Sequence, residues 1–309
     1  MTVPAHPESI ALVFPGVGVE WTGDERAFAA RHAGVMRPFL RAAEDRVGAP
    51  LLDRWEGEGL PPFDPCASEL LVFAFSCGMA EVCRRAGLAV SLAAGYSLGV
   101  YAAAVAAGAV RFADGLAMVQ WAHAAVRAAC RDREGGVGAV VGLEIDELRR
   151  LLAAHPPLCL ININNDHSGI VAGPRAELSA FLGCARDRGA LKADPLALDL
   201  PYHHPEALAG VPAAFAGFLH SFAWSAPAFP LLSSADASLL ADGPSVRAYV
   251  ARQLAEPFEW AGVVRALGRM GVAAAIECGP GISLAQNARF LPEAPRHVTV
   301  KTIFSRFGL

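Results

Sequence analysis

A serine at position 97 stands between two glycines, in the pentapeptide G-Y-S-L-G at 95–99. An apolar run at 88–94 precedes it and an alanine-rich stretch at 100–107 follows it. A G-x-S-x-G segment between a buried strand and a helix has the form of a nucleophile elbow, a sharp turn that exposes the serine hydroxyl. The start of the helix offers backbone N–H groups to an oxyanion. Ser97 is therefore the candidate nucleophile.

Two adjacent histidines, His203 and His204, supply a candidate general base. Imidazole titrates near neutral pH, so it can accept the serine proton and return it to a leaving group. Taken alone, one of two adjacent histidines is more often a surface or structural residue than a catalyst. Because the chain also contains a candidate serine nucleophile, we favour His203 as its base.

These residues need a scaffold, and buried strands that alternate with amphipathic helices indicate an α/β fold. The first strand, 10–14, runs into a turn that contains Gly16 and Gly18. The pattern then predicts further elements in chain order: a helical stretch 24–47, a long apolar helix 69–86, the strand 88–94 and helices up to 130. After residue 201 it predicts a helix 206–223, a strand 229–233, helices 246–254 and 260–269 and a strand 273–277.

The pattern between these two parts is that of a separate small unit. It predicts strands 138–142, 158–164, 167–173 and 197–200 and helices 144–154 and 175–188. The order β-α-β-β-α-β is that of a ferredoxin-like unit. We therefore predict a large α/β subdomain formed by 1–132 and 201–309, which carries the nucleophile, and an inserted ferredoxin-like small subdomain at 133–200.

Composition and charge argue against several classes of partner. The net charge is −4 and the pI is about 6.1, without a basic stripe, so we expect no nucleic acid partner. Although the mean hydropathy is +0.36, no uninterrupted apolar run reaches about 18 residues, so we expect no membrane span and no membrane partner. The first residues lack the pattern of a secretion signal, and we predict a cytoplasmic location.

Cysteines and histidines are scattered along the chain. The 7 cysteines are odd in number and include no C-x-x-C pair, which predicts reduced thiols rather than disulfides or a zinc site. The histidines are dispersed as well, so we expect no metal. The glycine-bearing turns match no complete phosphate-binding motif.

Motifs along nearly the whole chain resemble, in the right order, those of the malonyl-CoA:acyl carrier protein transacylases and the related polyketide synthase acyltransferases. F-P-G-V-G at 14–18 resembles the family's F-P-G-Q-G, and G-Y-S-L-G at 95–99 resembles its G-H-S-L-G. P-Y-H at 201–203, E-P-F-E-W at 256–260 and E-C-G-P-G at 277–281 resemble its P-S-H, N-P-V-x-W and E-x-G-P-G. The resemblance implies a hydrolase-like α/β body with a parallel sheet and an inserted ferredoxin-like subdomain.

The resemblance also implies a role for each matching residue. Ser97 would form an acyl-enzyme, and His203 would be its base, oriented by the backbone carbonyl of Glu256. The backbone N–H groups of Val17 and Leu98 would form the oxyanion hole, a role that does not depend on the side chain at position 17.

The implied reaction is ping-pong. Ser97 takes an acyl group from a thioester, and the phosphopantetheine thiol of an acyl carrier protein then removes it. Coenzyme A thioesters and acyl carrier proteins are the implied substrates and partners, with no permanently bound cofactor. Discrete members of the family are usually monomeric, so we expect a monomer.

Several positions depart from the family's pattern. Malonyl-specific members carry an arginine on the helix after the nucleophile, which pairs with the free malonyl carboxylate. The ungapped position here is Ala122, beside Trp121. Tyr96 replaces the usual histidine before the nucleophile, and Ser68 replaces a glutamine near the acyl group. The segment 16–20 is G-V-G-V-E, where the family has G-Q-G-S-Q.

These departures affect which acyl group the site would accept. Burying a malonyl carboxylate without its cation would cost several kcal/mol, so we infer that an uncharged or larger acyl group is preferred. The alternative is an ordinary malonyl transferase in which Arg127 or Lys192 supplies the cation.

The predicted substrate pocket consists of the substituted positions and one asparagine: Ser68, Tyr96, Trp121, Ala122 and Asn164. Asn164 belongs to an asparagine-rich segment, 162–167, that lines the cleft in the family, although turn chemistry explains part of it. Lys192 stands where the family often has arginine. It is either a pantetheine or carrier protein contact or an ordinary solvated lysine.

The leading hypothesis is a discrete acyltransferase that moves a non-malonyl acyl group to, from or between acyl carrier proteins in polyketide-type biosynthesis. The second is an acyl carrier protein thioester hydrolase, in which the same serine and histidine release a stalled acyl group to water. The third is a non-catalytic protein that docks carrier proteins, against which the intact Ser97 and His203 argue.

Overall fold

The structure of the chain, a computed structural model, describes residues 9–56, 64–131 and 134–309. The N-terminal part forms β1 (Ile10–Phe14), α1 (Asp24–Arg31), α2 (Ala33–Val47), α3 (Leu51–Glu56), α4 (Pro65–Arg85), β2 (Val90–Gly95), α5 (Gly99–Ala106) and α6 (Phe112–Ala129). The middle part forms β3 (Gly135–Val141), α7 (Ile145–Leu152), β4 (Cys159–Asn165), β5 (Ser168–Pro174), α8 (Arg175–Asp187) and β6 (Lys192–Pro195). The C-terminal part forms α9 (Val211–Leu219), β7 (Leu231–Leu232), β8 (Leu239–Leu240), α10 (Gly243–Arg252), β9 (Phe258–Glu259), α11 (Trp260–Arg269), β10 (Ala274–Glu277), α12 (Ser283–Ala288), β11 (Arg296–Val298) and α13 (Ile303–Phe307).

The larger of two sheets has the strand order β11-β10-β1-β2-β7-β8. Its first five strands are mutually parallel, and only β8 runs antiparallel to its neighbour. All of β1 is buried, which explains its unbroken apolar sequence, since a strand covered on both faces has no polar side. The loops after β1 and β2 leave the sheet at the same edge because parallel strands end together.

The second sheet has the order β6-β3-β5-β4-β9. The first four of these strands are antiparallel and, with α7 and α8, form the expected β-α-β-β-α-β unit. The short strand β9 adds in parallel to β4 through Asn162↔Phe258 and Ile163↔Glu259. The predicted fold class, a hydrolase-like α/β body with a ferredoxin-like insertion, is confirmed. The division at 133 and 200 stays a prediction.

Individual predicted elements differ from the observed ones, and the last strand of the inserted unit is the clearest error. The largely apolar residues at 197–200, predicted as a strand, form none. Instead β6 pairs with β3 from Lys192↔Val141 to Gly138↔Pro195 and buries Ala193. Strand pairing, which the local sequence does not encode, therefore ends before this segment begins.

Helix bounds also differ from the prediction. The stretch at 24–47 is interrupted at His32 between α1 and α2. The helix predicted at 206–223 is only α9, because Gly210 at φ 87° forms a turn immediately before it. The elements β8, α12, β11 and α13 were not predicted.

The long helix α4 begins four residues earlier than the pattern suggested. Asp64 caps it by accepting hydrogen bonds from the backbone N–H groups of Cys66 and Ala67, at 3.0 and 3.3 Å, and Pro65 occupies the first turn. Among the described residues, α4 is the one helix long and apolar enough to cross a membrane, yet 83% of its apolar window is buried inside the fold. It contacts α2, α5 and α6 as a core helix, and its early start places Ser68 and Glu69 in its first turns.

Candidate active site

The turn that carries Ser97 is tightly constrained. Ser97 has φ 53°, in the left-handed region that non-glycine residues rarely occupy. A Cβ on Gly95 would lie 2.2 Å from the backbone N of Val100, and a Cβ on Gly99 would lie 2.2 Å from the carbonyl oxygen of Phe14. The two glycines of the pentapeptide are therefore required because the turn packs against its own helix and against the end of β1.

Ser97 and His203 are in direct contact. Ser97 Oγ lies 2.8 Å from His203 Nε2. On the other side of the ring, His203 Nδ1 lies 2.7 Å from the carbonyl oxygen of Gln253 and 3.2 Å from that of Glu256. Because carbonyl oxygens only accept hydrogen bonds, Nδ1 must carry the proton, which leaves Nε2 free to accept the serine proton.

Gln253 was not predicted from the sequence. Its carbonyl is the closer of the two that orient His203, and it follows directly after α10. The last carbonyls of a helix have no partner within the helix, and this end of α10 was the signal that could have identified Gln253. The neighbouring His204 serves a different purpose, since its Nε2 lies 3.1 Å from the carbonyl oxygen of Pro157 in the inserted unit.

Burial holds His203 in its neutral form. His203 is only 4% exposed, and this burial lowers its pKa to about 4, although the hydrogen bonds to the carbonyls of Gln253 and Glu256 oppose the shift. The protonated form is disfavoured because a buried charge loses its hydration. At neutral pH the imidazole is therefore in the form that a general base needs.

This pKa makes a prediction about acid conditions. We expect kcat/KM for loading of Ser97 to change by no more than about twofold between pH 7 and pH 5.5, because a group with a pKa of about 4 stays neutral across that range. Initial loading rates by mass spectrometry, with circular dichroism as a check on folding, would measure this. A loss of half the rate near pH 6.5 without unfolding would contradict it.

The loop after β1 lies against the nucleophile turn. A Cβ on Gly16 would lie 3.0 Å from Tyr96 Cδ1 and 3.4 Å from Ser97 Cβ. The next residue, Val17, lines the same small cavity as Ser97 and Leu98. Within the described ranges, the backbone N–H groups of Val17 and Leu98 donate to no other residue. Both donors are therefore available to an oxyanion formed at Ser97.

Ser97 opens into a narrow cavity of about 20 Å³. Ala122, which the sequence resemblance aligned with an arginine, lies in its wall and is buried. Among the described residues, the lining holds no lysine or arginine, and its one carboxylate belongs to Glu69. The wall consists of Val17, Glu69, Ser97, Leu98, Tyr101, Val119, Ala122, Tyr202, Gln253 and Leu254.

Glu69 lies in the first turns of α4, and its side chain is only 9% exposed. Its Oε1 accepts hydrogen bonds from the hydroxyl of Tyr202, at 3.0 Å, and lies 3.1 Å from Nδ1 of His123. Glu69 and Tyr202 also line a neighbouring cleft of about 800 Å³, which His123 and Arg127 border as well. The two residues thus form the wall between the small cavity and the larger cleft.

The sequence prediction named Ser68 for this wall, but it is the next residue, Glu69, that borders the cavity. An acidic residue directly before the apolar run 70–75 of α4 was the signal for it.

Tyr96 and Asn164 lie together but do not border the cavity. Asn162 Nδ2 donates to the hydroxyl of Tyr96, at 2.8 Å, and to Oδ1 of Asn164, at 2.7 Å. The ring of Tyr96 contacts that of Phe258 edge-on, with centroids 4.9 Å apart, and Phe258 in turn contacts the ring of His203. This network connects the nucleophile turn to the inserted sheet.

Trp121, Lys192 and Arg127 lie apart from the cavity. Trp121 stacks on Phe215 of α9, with centroids 4.6 Å apart. Lys192 is exposed at the edge of the inserted sheet and borders neither the cavity nor the cleft. Arg127 borders the cleft but not the cavity. In the part of the chain that the structure describes, no group of three or more histidine, cysteine or acidic side chains is placed to hold a metal ion.

The chain is similar to known proteins over most of its length. The chain is 27% identical over 281 residues to the malonyl CoA-acyl carrier protein transacylase of Salmonella typhimurium, covering 88% of this chain and 89% of that protein. It is 28% identical over 284 residues to the erythronolide synthase EryA2 of Saccharopolyspora erythraea, covering 90% of this chain but 8% of that protein. The crystal structure of an acyl-carrier-protein S-malonyltransferase from Burkholderia pseudomallei superposes with a TM-score of 0.87 at 28% identity, covering 97% of this chain and 100% of that one. No family profile matches the chain.

Proposed function

We propose that this chain, a homologue of the malonyl-CoA:acyl carrier protein transacylases and of polyketide synthase acyltransferases, transfers an acyl group other than malonyl. It is an acyltransferase that acts on coenzyme A and acyl carrier protein thioesters, with Ser97 as the proposed nucleophile and His203 as the proposed base. The observation that carries the choice of acyl group is the lining of the cavity at Ser97, where the described residues supply a carboxylate and no cation. The monomeric state and cytoplasmic location stay predictions.

The first half-reaction loads the serine. Ser97 Oγ attacks the thioester carbonyl while His203 Nε2 takes the hydroxyl proton, and the carbonyl oxygen becomes an oxyanion that the N–H groups of Val17 and Leu98 receive. The intermediate collapses by breaking the C–S bond, and His203 returns the proton to the departing thiolate. The products are the Ser97 ester and a free thiol.

The second half-reaction removes the acyl group from Ser97. The phosphopantetheine thiol of an acyl carrier protein gives its proton to His203, and the sulfur attacks the ester carbonyl. The C–O bond to Ser97 breaks, the proton goes from His203 to Ser97 Oγ, and the acyl group leaves as a thioester on the carrier protein. The same residues act as base and then as acid in each half, as ping-pong transfer requires.

The wall at Ala122 supports the choice of a non-malonyl group. A malonyl carboxylate needs a paired cation once it leaves water, and neither Arg127 nor Lys192 borders the cavity. The carboxylate of Glu69 would repel it instead. Two of the named homologues are malonyl transferases, so a non-malonyl preference departs from them and needs a direct test.

The test is intact-mass spectrometry of the protein after exposure to malonyl, acetyl, branched short-chain and longer acyl thioesters, on coenzyme A and on carrier protein. We expect adducts from groups without a carboxylate, absent in Ser97→Ala and passed on to a holo carrier protein. Rapid malonyl loading would return the chain to the malonyl transferases. Release as free acid without transfer would indicate a thioester hydrolase.

Introducing a positive charge into the cavity wall and removing the negative one should allow malonyl loading. In Ala122→Arg alone, the new guanidinium would pair with Glu69, so we expect little gain. In Ala122→Arg combined with Glu69→Gln, the arginine is free, and we expect malonyl loading to rise by about 100-fold or more, the scale of a desolvated bidentate ion pair. The loading rate by mass spectrometry measures it.

The matched control is Ala122→Met combined with Glu69→Gln, which adds a side chain of similar length without charge, with thermal unfolding as the check on folding. If this double variant loads malonyl as fast as the double variant with arginine, the missing cation does not explain the preference for non-malonyl groups.

A further inference from the structure

The carboxylate of Glu69 is incompletely satisfied within the site. Its Oε1 accepts hydrogen bonds from Tyr202 and His123. Its Oε2 has no hydrogen-bond partner among the described residues, and it is not one of the fully buried atoms that lack a partner. Glu69 is nevertheless mostly buried and borders both the cavity at Ser97 and the larger cleft. A carboxylate oxygen of this kind can still accept hydrogen bonds from a ligand.

The groups around Glu69 do not supply a fixed positive charge to the cavity. Tyr202 and Tyr101 are phenols, and the hydroxyl of Tyr101 is engaged by Gln253 Nε2 at 3.1 Å. His123 is buried and turns Nδ1 to Glu69, while its Nε2 is buried without a partner. Arg127 is exposed and borders only the cleft. The small cavity therefore has a hydrogen-bond acceptor of negative charge and no cation of its own.

We propose that Glu69 determines acyl specificity by receiving the protonated amino group of an aminoacyl chain carried on Ser97. This inference rests on the proposed function, since it concerns the acyl group that the same Ser97 ester would hold. An ammonium group supplies what the wall lacks, a cation with N–H donors for the free carboxylate oxygen, and a charge-assisted hydrogen bond of this kind is stronger than a neutral one. Tyr202 and His123 hold the carboxylate in place by donating to its other oxygen.

The position of Glu69 between cavity and cleft also fits such a substrate. The cavity at Ser97 is small, about 20 Å³, whereas the cleft of about 800 Å³ that Tyr202 and Glu69 also border has room for a longer chain. Because Glu69 borders both spaces, we place the amino group at this shared wall. Any substituent beyond that nitrogen would extend toward the cleft.

The test compares two acyl groups of the same shape, 3-aminobutyryl and 3-methylbutyryl, each as a pantetheine thioester. In the unmodified protein we expect 3-aminobutyryl to load Ser97 about 10- to 100-fold faster, the scale of a hydrogen bond to a charged group. In Glu69→Gln, which keeps the size and the acceptor oxygen but removes the charge, the ratio should fall to about one. Glu69→Asp, which keeps the charge on a shorter side chain, should retain part of the preference.

Each outcome separates this inference from the proposed function. Equal loading of the two groups by the unmodified protein would overturn the role of Glu69 but leave acyl transfer standing. A preference unchanged in Glu69→Gln and Glu69→Asp would assign the selection to other residues and overturn it as well. If no thioester loads Ser97, the proposed function itself fails. Because each ratio is measured within one variant, a general loss of activity does not alter it.

Discussion

Replacing Ser97 with alanine is expected to lower kcat/KM for carrier protein acylation by about 10⁴-fold or more and to abolish the acyl-enzyme. Without the hydroxyl no ester can form, and the N–H groups of Val17 and Leu98 alone leave only a small residual rate. His203→Ala should cost a similar factor, because its Nε2, 2.8 Å from Ser97 Oγ, is the only partner of that hydroxyl among the described residues. Steady-state transfer to a holo carrier protein and intact-mass spectrometry measure both.

The losses in kcat/KM from the two substitutions should not be additive. Ser97 and His203 act in one proton transfer, so the double variant should be about as slow as either single one. His204→Asn is the matched control, since His204 is adjacent in sequence but bonds to the inserted unit through the carbonyl of Pro157, and it should retain activity within about tenfold. Persistent loading of Ser97→Ala, or a His204 variant as inactive as the His203 variant, would contradict the assignment.

Gly99→Ala is expected to destabilise the protein by about 3 kcal/mol or more, the upper range for an overpacked site. Its Cβ would lie 2.2 Å from the carbonyl oxygen of Phe14 and 2.9 Å from Phe14 Cβ. Backbone at the end of β1 cannot move aside as a flexible side chain can, because Tyr96 N donates to that same Phe14 oxygen at 2.9 Å. The free energy of unfolding in urea, or failure to obtain folded protein, is the measurement.

The control for this glycine is another helical one. Gly183 lies within α8, and a Cβ there would meet nothing within 4 Å. Gly183→Ala should therefore be neutral or stabilise the protein by up to about 1 kcal/mol, through helix propensity. Equal effects of the two substitutions would show that the close approach at Gly99 does not constrain the turn.

The fold class and the sharp turn at Ser97 were predictable because their signals are local. A nucleophile turn needs glycines at fixed offsets from its serine, and the contacts of Gly95 and Gly99 are made with Val100 and Phe14, within and next to the turn. The strand 10–14 was predicted with its observed bounds because it is buried on both faces and is therefore apolar throughout. Segments whose structure depends on distant pairing, such as 192–200, were predicted less well.

The sequence by itself determined which candidate groups are present: a serine between two glycines, a histidine after the inserted unit, and alanine at 122, where the resemblance implies arginine in malonyl-specific proteins. Tertiary structure alone decided which neighbours face that serine. Successive residues on a helix point about 100° apart, so whether Ser68 or Glu69 borders the cavity depends on where α4 begins and how it packs. The carbonyl of Gln253 likewise reaches His203 only because α10 ends there. The sequence specifies which residue types are present, whereas the direction of a side chain or a carbonyl is fixed only when the elements pack together.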